Sequence, residues 1–451
     1  VISRPHLFGF ALGSVGAAMF FTIPGLVLLV YLTNELNVPA SVAALVVGGP
    51  KFWDVLFDPF VGAMSDREAR LSGRRTRLML CGALLLPMGF AAMFASPFTG
   101  LAGAAWVGVA FVLAATAFAL FQVPYVALPT EISPDAAQRS RAMSWRIVGV
   151  TLGILLAGGS ATALVDAAGG GRGGFLAMGV LFALAMGALM LTAALSTRWI
   201  RSSPSPGHEA LGLLQSLRVA RGNRPFFALL AGYVLQCLGI AVFLAAIAYL
   251  AVYKLGDLQR ASLLFAGFVA PSVMAVPLWH QLAMRWGRAQ ACTVASALIA
   301  VACIGLLPLL MEARVSLVGV MALALLAGIG FGGQQVLPAA MAPEAILADS
   351  ARTGQVQAGT FNGAWAACET AAYALGPALF ALILGVSGYR SSAGMAHAGP
   401  QPDSALAAIV WSATVVPAVL MLAGLPLIRW SERAMLNAQG ASASSSRFSN
   451  R

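Results

Sequence analysis

Long apolar runs separated by short polar breaks make up almost the whole chain. They cover residues 7–32, 40–64, 78–96, 101–128, 142–165 and 175–196, then 226–252, 261–284, 291–311, 315–340, 357–388 and 404–428. A helix that crosses a bilayer uses about 20 apolar residues. The pattern therefore predicts an all-α membrane protein with twelve spans, six on each side of the polar stretch 197–225. Strands of a membrane barrel would alternate over about ten residues, and these runs are longer and more continuous. Four regions follow: a first six-helix bundle at 1–196, a linker at 197–225, a second six-helix bundle at 226–428, and a Ser-rich tail at 429–451 whose composition predicts disorder. The first run, Leu7 to Leu32, is too long for a signal-peptide core and lacks a cleavage site, so it reads as a span. Gly9, Gly13, Gly16, Pro24 and Gly25 interrupt it and allow close helix approach and kinking.

Composition agrees with this pattern. Of 451 residues, 59% are apolar and only 10% charged, and the mean hydropathy of +0.85 excludes an ordinary soluble domain. The net charge of +11 does not imply a nucleic-acid partner, because the basic residues fall in short clusters between apolar runs. Most arginines lie in the loops after spans 2, 4, 6, 8 and 10, which by the positive-inside rule places those loops, the linker and both termini in the cytoplasm. Lys51 and Lys254 are the only lysines among 27 basic residues, a bias that points to a high-GC bacterium and so to the bacterial cytoplasmic (inner) membrane. The five cysteines fall within spans and read as reduced packing residues without metal-ligand spacing. No phosphate loop and no nucleophile with a base partner is present, so the sequence supports neither an enzyme nor a bound cofactor.

The stretch Lys51–Arg77 carries the candidate chemistry. Asp54 and Asp58 are four residues apart and share one helix face. A carboxylate at the bilayer centre costs on the order of 3 kcal/mol, so the pair implies a water-filled cavity, a bound cation or protonation. Lys51, one turn before Asp54, is placed to tune that acid. Arg146, one turn inside span 5, either pairs with Asp58 or contacts a polar substrate. Glu369 is a lone acid in span 11, a candidate for a second proton or for a cationic substrate group, with a hydrogen bond to a neighbouring helix as the structural alternative. Gln122, Tyr125, Gln236, Asn362 and Trp365 are polar or aromatic positions expected to line a cavity, as is the pair Gln334-Gln335. Asp66, Arg67, Arg74 and Arg75 read as gate residues at a cytoplasmic helix end, and His280 as a packed or interfacial histidine.

The order Gly62-Ala63-Met64-Ser65-Asp66-Arg67 followed by Gly73-Arg74-Arg75 resembles the loop signature of the major facilitator superfamily. The longer pattern K-x-x-D-x-x-x-D-P-x-x-G-x-x-S-D-R, with seven residues from Asp66 to Gly73, resembles the glycoside-pentoside-hexuronide:cation symporter family. Val123–Leu128 with Arg139 and Arg146 downstream, Pro343-Glu344 through Gly354, and Glu369 to Tyr389 fit the same family. The resemblance implies a major facilitator fold, two six-helix bundles facing each other across a central cavity. It implies a symporter of a small organic, glycoside-like solute that works by alternating access as a monomer in the lipid bilayer. It implies H+ or Na+ as the coupling ion at Asp54 and Asp58, which are metal ligands only if the ion is sodium.

This chain departs from the family's sugar carriers at several positions. The first-span acid falls near Ser14-Val15, the span 4 acid is Gln122, and the span 11 lysine falls near Thr370, beside Glu369. These losses weaken the grip on sugar hydroxyls and leave open a carrier of lipid-like or drug-like amphipaths, or a non-transporting receptor or assembly factor on the same fold. Phe57 and Ala119 replace polar neighbours of the ion pair. Sodium wants about five or six oxygens, as other hard cations do, so a thinner oxygen shell leans toward a carboxylate that binds and releases a proton.

Overall fold

The structure, a computed structural model, describes residues 4–131, 136–200, 213–312, 315–353, 358–392 and 400–449. It is helical throughout, and no strand occurs among these residues. The helices are α1 (Arg4–Ile23), α2 (Ala40–Ser72), α3 (Thr76–Phe94), α4 (Gly100–Glu131), α5 (Ala136–Ala167), α6 (Gly171–Ser196), α7 (Leu213–Gly222), α8 (Arg224–Tyr253), α9 (Gln259–Met274), α10 (Val276–Trp286), α11 (Arg288–Met311), α12 (Leu317–Thr353), α13 (Ala358–Val386), α14 (Asp403–Ala413) and α15 (Val415–Ser449). Among the described residues, ten helical stretches are long and apolar enough to cross a membrane, and α9 with α10 makes an eleventh across a bend of 48°. α2, 33 residues long, carries the two aspartates.

The run 7–32 does not form one regular helix. α1 ends at Ile23, and two π-helical turns follow at Pro24–Leu28 and Tyr31–Glu35. Pro24 has no N–H to donate back to the preceding turn, so the hydrogen-bond register widens there. The run 261–284 is likewise broken, at Ala275, with prolines at 271 and 277 on either side. The linker contains the short helix α7, and α15 carries helical structure through 429–449, the stretch whose composition argues for disorder.

The chain packs as two compact units. Unit 1 comprises Val1–Glu209, Ile247–Ala266 and Pro377–Ala408; unit 2 comprises Ala210–Ala246, Gly267–Gly376 and Ile409–Arg451. Packing thus divides the chain differently from a cut at the linker, because α8, α9, α13 and α14 each pass from one unit to the other.

In unit 1, α1 packs on α5 and α6, α3 on α4 and α6, and α2 on α4. In unit 2, α11 packs on α12 and α15. Two glycine pairs allow backbone-to-backbone approach. Gly149 and Gly153 of α5 lie against the carbonyls of Ala11 and Val15 on α1, and Gly328 and Gly332 of α12 against those of Phe268 and Ser272 on α9. A Cβ at any of the four would overlap a backbone oxygen, which is the small-residue spacing that membrane helices use for close contact.

Candidate functional site

Asp54 and Asp58 lie in one uninterrupted helix, Asp54 half-buried and Asp58 exposed. The neighbouring face of α2 is aromatic. Trp53 stacks on Phe57 at 5.6 Å between ring centroids, and Phe57 on Phe60 at 6.3 Å. Trp53 Nε1 donates to Thr116 Oγ1 of α4 at 2.9 Å, while that hydroxyl donates to Val112 O. The α4 hydroxyl that faces α2 is therefore already engaged, and Phe57 and Ala119 offer no oxygen. The pair supplies four carboxylate oxygens, short of the set a sodium ion prefers.

Beyond the aspartates, α2 ends at Gly73, whose φ of 66° and N–H to Ala69 O close the helix in the left-handed conformation that glycine tolerates. Arg75 is buried, and its Nη1 reaches Asp66 Oδ1 and Ser65 Oγ, both at 2.7 Å. Glu68, which the motif reading passed over, accepts the backbone N–H groups of Arg77 and Leu78 at 2.8 and 3.2 Å. It thereby satisfies two donors at the N-terminus of α3. Arg67 and Arg74 are exposed; Arg74 lines a cleft of about 540 Å³ with Arg77 and Arg198. The loop at 287 echoes this corner. Gly287 has φ of 87°, Arg288 is ion-paired with Glu344 of α12, and Ala289 N–H donates to Glu432 of α15.

The expected substrate-facing residues divide into two kinds. Among the described residues, Gln122 Oε1 and Arg146 Nε in unit 1 are buried atoms without a hydrogen-bond partner, as is Gln236 Oε1 in unit 2. Tyr125 is fully buried, and its hydroxyl meets Phe10 O and Ser14 Oγ, each at 2.6 Å, so it joins α4 to α1. Gln236 is also fully buried, and its Nε2 bonds to Ser296 Oγ and Met421 O, joining α8 to α11 and α15. The side chains of Lys51 and Asn362, like Arg139, lie outside the described residues.

Unit 2 gathers the remaining polar groups around Glu369, which is half-buried. Tyr233 donates to Glu369 Oε1 at 2.6 Å and lies 3.1 Å from Gln335 Oε1. Its ring stacks on Trp365 at 4.6 Å. Gln334 Nε2 points to Cys237 Sγ at 3.7 Å. Tyr233 was not among the sequence candidates. The signal was available, since it sits one turn before Gln236 and Cys237 in an otherwise apolar run.

A helical chain with at least ten apolar stretches long enough to span a membrane, and with acids and amides held inside them, is a multi-pass membrane protein with a polar path of functional interest. Comparison with known proteins gives its family: the model of the MFS/sugar transport protein family matches residues 9–430, and the chain belongs to that family. An uncharacterized symporter of Synechocystis sp. is 25% identical, with 92% of this chain and 91% of the relative covered. The sodium-dependent lysophosphatidylcholine symporter 1 of Xenopus tropicalis is 22% identical over 75% of this chain and 70% of its own length. The crystal structure of a bacterial homologue of the human lysosomal transporter Spinster, inward-facing and unoccupied, superposes with a TM-score of 0.72 at 14% identity, covering 97% of this chain and 99% of that one. The fold is that of the major facilitators.

Proposed function

We propose that the protein is a cation-coupled symporter of a small organic solute, with the coupling ion at Asp54 and Asp58. One observation carries this reading: two carboxylates share a face of the continuous helix α2 within a membrane-spanning chain. A proton or cation that neutralises them lowers their cost within the membrane, which ties its binding to the state of the carrier. The apolar neighbours Phe57 and Ala119, and a Thr116 hydroxyl that already bonds Trp53 and Val112, favour a proton over sodium.

Gln122 and Arg146 are the first-choice solute contacts, because each holds a buried polar atom that needs a partner. A hydroxylated, glycoside-like solute matches the family description. A second reading, an amphipathic lipid-like solute, is favoured by the relative named a lysophosphatidylcholine symporter. Tyr125 and Gln236 serve as helix joints and Glu369 has a separate role described below. Asp66, Arg67, Arg74 and Arg75 form the gate on the side of the bacterial inner membrane where both termini lie, and Lys51, about four turns back along α2, acts on that gate through Asp54.

Reconstituted vesicles test the proposal. A proton or sodium gradient is imposed and uptake is measured for a panel of glycosides and lysophospholipids. Gradient-driven uptake that is lost in Asp54→Asn and Asp58→Asn is the expected result. Uptake indifferent to both gradients removes ion coupling, and coupling retained in both variants removes the site.

A further inference from the structure

The hydroxyl of Tyr233 holds one proton and stands against two oxygens, Glu369 Oε1 at 2.6 Å and Gln335 Oε1 at 3.1 Å. A phenol donates to only one acceptor at a time. With Glu369 ionised, the carboxylate takes that proton, and the Gln335 oxygen faces the phenol oxygen with no hydrogen between them unless the amide turns over to present its NH₂. With Glu369 protonated, the chain closes as it stands: the carboxyl donates to the phenol oxygen and the phenol donates to Gln335. The orientation of the Gln335 amide therefore follows the charge on Glu369. Tyr233 is buried, and its ring lies against Trp365 with 22° between planes, so the hydroxyl cannot easily swing away.

We propose that Glu369 is a proton-binding carboxyl of unit 2, distinct from the aspartates of α2, and that Tyr233 and Gln335 form the hydrogen-bond relay that reads its state. Its use in transport rests on the ion-coupled reading above; its existence does not. No basic side chain among the described residues pairs with Glu369. The other titratable groups beside it are Tyr233 and Cys237 on α8 and Tyr373 one turn along α13. The α12 residues that reach this cluster, Gln334 and Gln335, are uncharged amides. Among the described residues no basic side chain neutralises the carboxylate, and a proton on Oε1 completes the hydrogen-bond chain through Tyr233 to Gln335. Gln334 Oε1, fully buried and without a partner, leaves an acceptor open to a donor such as a water that carries the proton. Because α8, α12 and α13 meet in the relay, loading one proton reverses hydrogen bonds that join three helices.

The test uses the purified full chain, the proton as the only ligand, and infrared difference spectra between acid and alkaline pH. In an Asp54→Asn/Asp58→Asn background, a protonated-carboxyl C=O band should grow as the pH is lowered and disappear when Glu369→Gln is added. Tyr233→Phe keeps the ring against Trp365 and should move the titration midpoint by about tenfold or more in proton affinity. A spectrum unchanged by Glu369→Gln overturns the proposal. If that variant fails to fold, an unmoved midpoint in Tyr233→Phe overturns it instead. The aspartates are already neutral in this background, so failure of the α2 site and failure of the Glu369 site are read separately.

Discussion

The hydroxyl of Tyr389 donates to Asn34 Oδ1 at 2.6 Å, across 355 residues of chain. The same oxygen accepts from Thr33 Oγ1, and Asn34 Nδ2 donates to the Tyr253 hydroxyl, which itself meets Tyr389 at 2.7 Å. Thr33 meets the Tyr249 hydroxyl at 2.7 Å, and Ser392 N–H bonds to Thr33 O. This joint of unit 1 lies at the opposite end of α2 from Arg75, and it is built on the π-turn Tyr31–Glu35, whose residues are all buried. It explains why the ends of α8 and the 377–408 segment pack with the first six helices.

Replacing Asn34 with Ala should remove three side-chain hydrogen bonds from a buried site, at about 0.5–1.5 kcal/mol each, since Thr33 keeps Leu29 O and the hydroxyls of Tyr253 and Tyr389 keep each other. Thermal unfolding in detergent should show a larger loss for Asn34→Ala than for Tyr389→Phe. The double variant should lose less than the sum of the two, because the residues share one bond. A strictly additive pair would mean that the bond contributes nothing.

Burial pushes the Tyr389 phenol well above the usual tyrosine range. A phenol whose folded-state value is raised stays protonated through neutrality, and its ionisation becomes unfavourable to the fold only above the unfolded value near 10. The contribution of the joint to stability should therefore be flat from about pH 6 to 9. The stability difference between wild type and Tyr389→Phe, measured across that range, checks this.

A proton or sodium ion that binds the folded chain at Asp54 and Asp58 raises its stability by mass action, about 2.7 kcal/mol at 100 times the dissociation constant. The melting temperature should thus respond to the coupling ion, and Asp54→Asn/Asp58→Asn should remove that response. A response to sodium at fixed pH would assign sodium, and a response to pH alone would assign the proton. An unchanged response in the variant would place the ion elsewhere.

At the corner between α2 and α3, Glu68→Ala should destabilise by about 1 kcal/mol through loss of two capping bonds. Asp66→Ala should cost more, about 1–3 kcal/mol, because it removes a charge-assisted bond to the buried Arg75 guanidinium. Proteolytic nicking near 72–77 should rise in the same order.

Gly153→Ala and Gly328→Ala should each lose about 1–3 kcal/mol, since the added methyl group meets a backbone oxygen that cannot rotate away. Gly108 faces open space on α4, so Gly108→Ala should be neutral or stabilising by up to about 1 kcal/mol. Equal effects at all three positions would show that close approach is not what these glycines provide.

The shared helix face of Asp54 and Asp58 and the end of α2 at Gly73 were legible because both are local. Asp54 and Asp58 share a helix face by spacing alone, and Gly73 closes α2 by its own backbone freedom. Gln122 and Arg146 could be named from polarity within apolar runs. The roles of Tyr125 and Gln236 could not, because a buried hydroxyl or amide looks the same in sequence whether it meets a solute or a neighbouring helix. Tyr125 meets Phe10 and Ser14, and Gln236 meets Ser296 and Met421; each partner lies on a helix distant in sequence. The break at Ala275 was missed because hydropathy measures apolarity and is blind to a bend.

The sequence by itself determined the membrane-spanning helices, their family and the two acids of α2. Hydrophobic length, charge clustering and spacing four residues apart act within a single helix and need no partner. The tertiary structure alone decided which polar side chains are joints and which remain unsatisfied, because that depends on the helix lying opposite. It also put Tyr233 and Gln335 against Glu369, and Tyr389 against Asn34. Tyr233 lies 136 positions from Glu369 and 102 from Gln335, and Tyr389 lies 355 from Asn34, and only packing in three dimensions gives each buried proton its acceptor.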